Sequence, residues 1–168
     1  MALGAVLLFI LGAGAGVLIV KNFYSPASSL PDLPIAQLLG DTHLLLDKGQ
    51  LADAERNYRL ILERDPGNPE AITHLGNIAS QRGDLDTALR YYEEALQRNP
   101  SYLHALWDKA LALRDKGDDA GAIQTWEAFI RLVPPDSQDV VTVRKLIAQS
   151  RARLSGQMMP PPGFKPSP

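Results

Sequence analysis

One spacing constrains this chain more than any other feature. Gly49, Gly83 and Gly117 lie 34 residues apart, and so do Ala54, Ala88 and Ala122, Pro66, Pro100 and Pro134, and the aromatics Tyr58, Tyr92 and Trp126. Four columns on one period mark an internal repeat, which has to be read before any local assignment. Within each copy an apolar-periodic stretch, a Gly, a second such stretch and a Pro follow one another, which is the pattern of helix, tight turn, helix and stop. The glycines stand where the chain must reverse, a place for positive φ. The alanines let the second helix press against the first. The aromatics come four residues later, one helical turn along the same face, and supply the large buried contact. The prolines end each second helix and open the next copy.

This arrangement resembles the tetratricopeptide repeat family, whose unit is a 34-residue helical hairpin, and the resemblance covers residues 35–68, 69–102 and 103–136. The middle copy carries it best, through Leu75, Gly76, Gly83, Ala88, Tyr92, Ala95 and Pro100. The outer copies depart from the pattern, with Asp41 and Thr42 in the first and Lys109 and Ala110 in the third where it has Leu-Gly. After the third copy, Asp136 and Ser137 offer helix caps and Val140, Val143, Leu146, Ile147 and Leu154 recur at helical spacing. A solenoid needs its last apolar face covered, so residues 137–154 are expected to form a capping helix. The Pro-rich end, residues 155–168, is expected to be a disordered tail.

The N-terminus is of another kind. Ala2 to Val20 is apolar or Gly throughout, and as a helix it would reach about 28 Å, close to the hydrocarbon thickness of a bilayer. Residues 1–21 are therefore expected to be a single-pass membrane anchor; the alternative is a cleaved signal peptide, for which Ala13-Gly14-Ala15 offers small residues but no basic residue precedes the apolar run. Gly12 and Gly16 form a GxxxG pair suited to close helix approach, a spacing that four glycines in one span also reach by chance. Residues 22–34, rich in Pro and Ser, read as an extended linker. The expected fold is thus all-α: a transmembrane helix, an α-solenoid of three hairpins and a capping helix.

The resemblance implies a concave groove lined by the first helix of each hairpin. The family's groove positions fall on Leu39, His43, Leu46 and Asp47 in the first copy. They fall on Glu70, Thr73, His74, Asn77 and Gln81 in the second, and on His104, Trp107, Asp108, Leu111 and Arg114 in the third. Some members clamp the terminal carboxylate of a chaperone tail with Lys, Asn and Arg. Here the matching positions are Leu39, His43, His74, His104 and Asp108, so the charge-assisted hydrogen bonds are missing and Asp108 would repel such a tail. All three histidines map to the groove. Imidazole suits a metal or haem, but the three lie on different hairpins without short ligand spacing, so hydrogen bonding and stacking on a peptide is the expected role, with no metal and no cofactor. Trp107 reads either as a peptide anchor or as a residue buried between copies.

Several chemistries are excluded. The chain has no cysteine, hence no disulfide, thiol nucleophile or thiolate metal site. Seventeen Lys+Arg against 19 Asp+Glu give a net charge of -2 and no drive toward nucleic acid. No GxSxG elbow, HExxH or phosphate loop occurs, and the glycine cluster Gly12 to Gly16 lies inside the apolar run, so no enzyme is expected. The acidic pairs Glu93-Glu94 and Asp118-Asp119 read as solvated surface.

A repeat scaffold with a groove and an anchor implies a membrane-tethered adaptor or assembly factor that binds a partner segment. The stretches Ala122 to Glu127, Leu132 to Ser137 and Ile147 to Leu154 look like the end of tetratricopeptide subunits of the bacterial cytochrome c haem-lyase machinery. That resemblance implies haem-lyase or cytochrome partners, c-type cytochrome biogenesis, and a bacterial inner-membrane location with the soluble part in the periplasm. Lys21 alone, beside the span, would place it in the cytoplasm. The other reading is a permanent accessory subunit of a membrane complex, docked by span, solenoid and tail.

Overall fold

The computed structural model describes residues 33–156, and among these seven helices follow one another: α1 (Ile35–Asp47), α2 (Leu51–Arg64), α3 (Pro69–Gln81), α4 (Leu85–Arg98), α5 (Leu103–Asp115), α6 (Asp119–Ile130) and α7 (Gln138–Leu154). The expected span with Gly12 and Gly16, most of the linker and most of the tail lie outside the described residues. Among the described residues no helix is long and apolar enough to cross a membrane.

The turns inside the hairpins share one geometry. Gly49, Gly83 and Gly117 have φ of 70°, 81° and 90°, the left-handed region in which a side chain is strained. The next amide returns to a carbonyl five residues back, Gln50 to Leu45 at 2.8 Å, Asp84 to Ala79 at 3.0 Å and Asp118 to Leu113 at 2.9 Å. This satisfies carbonyls that the end of the first helix would otherwise leave unpaired. Asp84 and Asp118 then cap α4 and α6 by accepting from the Thr87 and Gly121 amides. Asn68 caps α3 with Pro69 behind it, and Ser137 caps α7.

Each helix packs on the next, and α3 also touches α5, so the first helices of the hairpins form one layer and the second helices another. The core runs along the seam between them. Ala54, Ala88 and Ala122 are fully buried, as are Tyr58 and Trp126, and Tyr92 is 2% exposed. At the middle hairpin the fit is tightest: a Cβ on Gly76 of α3 would stand 2.6 Å from the Tyr92 ring of α4. Gly76→Val should therefore cost about 1–3 kcal/mol by overpacking, measured by urea unfolding; a variant as stable as the parent would show that the two helices separate freely.

The last hairpin is closed by α7, whose Val143 and Ile147 join Leu106, Ala110, Ala122, Trp126 and Phe129 in one cluster. Here one expectation fails. Asp119 is not solvated surface: it is 7% exposed and held by Arg153 of α7, whose Nε stands 3.0 and 2.9 Å from the two carboxylate oxygens while Nη2 also donates to Asp119. The acidic pair divides its work, Asp118 capping α6 while Asp119 ties the cap helix to it.

Candidate functional site

The groove-side positions of α1, α3 and α5 differ in burial and in what they touch. Leu39 and Leu46 pack against the first core cluster, and Trp107 and Leu111 against the last, with Trp107 edge-to-face on Phe129 at 5.5 Å. Arg114 lies with its guanidinium 5.8 Å from the Trp126 ring centroid. Thr73 does not reach the groove: it is 1% exposed, and its hydroxyl donates to the Pro69 carbonyl at 2.7 Å. β-Branched and near the helix start, it turns inward and satisfies itself locally. Asp47, Gln81 and His104 are exposed. The remaining positions, His43, Glu70, His74, Asn77 and Asp108, meet one another at the seams between first helices.

At the first seam, His43 of α1 brings its Nε2 to 3.0 Å from His74 Nε2 and 3.3 Å from Glu70 Oε1. Glu70 and His74 are four residues apart on α3 and so share one face. The His74 ring is stacked on Tyr58 at a centroid distance of 5.0 Å and an interplanar angle of 10°, which sets its orientation. Among the described residues, its Nδ1 and the Tyr58 hydroxyl are both buried without a hydrogen-bond partner. Burial, with smaller contributions from His43 and His104, pushes the His74 imidazole down to about 4, so it is neutral at pH 7.

The second seam repeats this register. Asn77 occupies in the second copy the place of His43 in the first, and its carbonyl accepts from the Tyr92 hydroxyl at 2.7 Å. Asp108 lies 31 residues on, the same separation as His43 to His74. Burial raises the Asp108 carboxyl, and Asn77 partly offsets the rise. Burial likewise lifts the Tyr92 hydroxyl, with the nearby Asp108 adding to it, and pushes Tyr102 up to about 12.

Sequence spacing among histidines alone gave no sign of the first cluster. The fold brings His43 and His74 together with Glu70, while His104 stands apart against Tyr102, ring to ring at 5.5 Å. The signal that could have found it is the Glu70–His74 spacing on one helix, joined to the offset by which neighbouring hairpins stack.

This stack of hairpins with a polar seam along its first helices defines a repeat scaffold of the helical-hairpin class. A tetratricopeptide repeat model matches residues 43–88 and 73–137, more than half of the chain, and the protein belongs to the tetratricopeptide repeat family. Among curated proteins it is similar to the photosystem I assembly protein Ycf3 of Acaryochloris marina, 30% identical over an alignment of 109 positions, with 55% of this chain and 66% of that one covered. The chain thus spans just under two thirds of that relative. Among solved structures it superposes on the TPR2B domain of yeast Sti1 in complex with pHsp70 with a TM-score of 0.65, at 14% identity, covering 71% of this chain and 97% of that one. The Yersinia enterocolitica type III secretion chaperone SycD, in complex with a peptide of the translocator YopD, gives 0.65 at 16% identity, covering 71% and 94%.

Proposed function

We propose that this protein is a membrane-tethered adaptor or assembly factor that captures a segment of a partner protein in the groove of α1, α3 and α5. The observation that carries this is the seam itself. Polar groups sit where a core would be apolar, half-buried at His43, Glu70, His74, Asn77 and Asp108, and beside them Asp47, Gln81 and His104 are exposed. Such a face can bond the backbone of an extended or helical segment. Its carboxylates, Asp47, Glu70 and Asp108, outnumber the one guanidinium, Arg114, so the segment it favours is neutral or basic. The assembly role named for the Acaryochloris marina relative and the peptide held by SycD support binding rather than catalysis as the activity.

The tether rests on the apolar run Ala2 to Val20, and the partner class on the resemblance of residues 122–154 to haem-lyase subunits. Together they give a bacterial inner-membrane protein whose solenoid, on the periplasmic side, holds cytochrome chains during c-type cytochrome biogenesis. The glycine-rich run and the Pro-rich end favour a second reading, a permanent accessory subunit of a membrane complex.

Affinity purification of the full chain from gently solubilised membranes, with mass spectrometry, separates the two. Apocytochromes or haem-lyase subunits in substoichiometric amounts are expected; a fixed stoichiometric set of membrane proteins would make it a structural subunit. The exposed pair His104→Ala and Gln81→Ala together should lower partner recovery about tenfold with far-UV circular dichroism unchanged, a loss typical of one or two interface contacts. Undiminished recovery would remove the groove from the account.

A further inference from the structure

The cluster at the first seam is more than a polar contact. His43 Nε2 stands between His74 Nε2 at 3.0 Å and the Glu70 carboxylate at 3.3 Å, and all three ligand atoms lie within 4.8 Å of one another. Hydrogen bonding serves this arrangement poorly. If His43 Nε2 is unprotonated, its lone pair faces a carboxylate; if it carries the proton, that one N–H has two acceptors to satisfy. A single cation among the three atoms resolves the conflict, because all of them offer lone pairs to one point.

From these distances and donor types we infer that His43, Glu70 and His74 form a binding site for a divalent transition-metal ion of the kind that takes imidazole and carboxylate, such as zinc. Ligand bonds of about 2.0–2.1 Å at tetrahedral angles put neighbouring ligand atoms about 3.3–3.4 Å apart. Two of the edges here come within a few tenths of an ångström of that. The third, from His74 to Glu70, closes by rotation of the Glu70 carboxylate, whose side chain is 34% exposed. Two imidazoles with one carboxylate suit zinc, cobalt, nickel or copper rather than magnesium or calcium.

The surroundings prepare these ligands. Tyr58 stacks on the His74 ring and holds its plane, so the ligand on α3 is oriented before an ion arrives. His74 is neutral at pH 7, the form that donates a lone pair. Glu70 and His74, four apart on one helix, form a ligand pair of the kind helices present in metal sites, and His43 arrives from the neighbouring hairpin. Three protein ligands leave a further position for water or for a side chain of a bound segment. The metal site does not rest on the partner-capture proposal: its three ligands also line the proposed groove, but its test uses the metal alone and no partner.

The test is titration of the untagged, chelator-treated full chain in detergent with Co²⁺, followed by displacement with Zn²⁺. One equivalent of cobalt should bind and give the intense visible absorption of four- or five-coordinate Co²⁺, and zinc should abolish it. His43→Ala and Glu70→Gln alter half-exposed side chains, so both variants should keep the parent far-UV circular dichroism. Each removes a ligand and should weaken binding by at least roughly tenfold, the loss that follows even when only a ligand's supporting residue is removed. Absence of saturable one-to-one binding, or unchanged affinity in either variant, overturns the site.

Discussion

Trp126→Ala is expected to cost about 3–5 kcal/mol, the largest single loss in the solenoid. Trp126 is fully buried on α6 and meets residues of α5, α6 and α7 in one cluster, so truncation opens a cavity that three helices border. In a stack where each hairpin contacts only its neighbours, that cavity falls on the interface between the last repeat and its cap. Among the described residues the indole Nε1 is buried without a hydrogen-bond partner, so removing it forfeits no hydrogen bond there and most of the cost is packing. Trp126→Phe, which keeps a ring and leaves a smaller void, should therefore cost less than half as much. Urea unfolding followed by circular dichroism measures both. An Ala variant within about 1 kcal/mol of the parent would mean that α7 collapses into the gap and that the cluster is not close-packed.

Asp119→Ala should destabilise by about 3 kcal/mol, because it leaves the Arg153 guanidinium, on a side chain 16% exposed, without its carboxylate. Ser150 alone would still accept from Arg153, at 3.0 Å. The loss is directional as well as large. Asp119 is in the first turn of α6 and Arg153 in the last turn of α7, so each also sits favourably at its helix end. In Asp119→Ala, α7 should open before the hairpins do, exposing Val143 and Ile147, and hydrogen exchange should show protection lost first over α7.

The same pair sets an acid limb. Burial pushes the Asp119 carboxyl up, but hydrogen bonds from Arg153 and Ser150 and the Arg153 charge hold it below the usual carboxylate range. A carboxyl depressed in the folded state contributes stability above its unfolded value, about 3.9, and loses it as the pH falls through the folded value. The parent should therefore lose cap stability below about pH 4, and Asp119→Asn should flatten that limb. An equally steep acid limb in the Asn variant would assign the titration to another group.

Much of the fold was legible before any coordinates, because repetition multiplies weak local signals. A glycine where φ must be positive, a small residue and then an aromatic one turn along a helix each say little once. Recurring three times at one period, they specify helical hairpins stacked in a row. The cap at Ser137 rests on a side chain reaching an amide three residues on, a purely local interaction. The cap helix was legible for the same reason, from an apolar face that had to be covered.

The sites that stacking creates were not legible. Asp119 beside Asp118 looked like surface charge, and only the return of α7 across α6 brings Arg153 to it, 34 residues away. Thr73 was placed in the groove by its copy position, but the choice between groove and core within one helical turn belongs to the rotation of α3 against its neighbours. His43 and His74 lie 31 residues apart although the repeat is 34, because a residue late in one first helix faces residues earlier in the next. Sequence by itself determined the elements, their turns and their order, since these depend on interactions within a few residues. Only the tertiary structure decided which polar side chains meet, because that depends on the offset between stacked hairpins, set by the packing of Ala, Tyr and Trp in the seam and by no residue of the cluster itself.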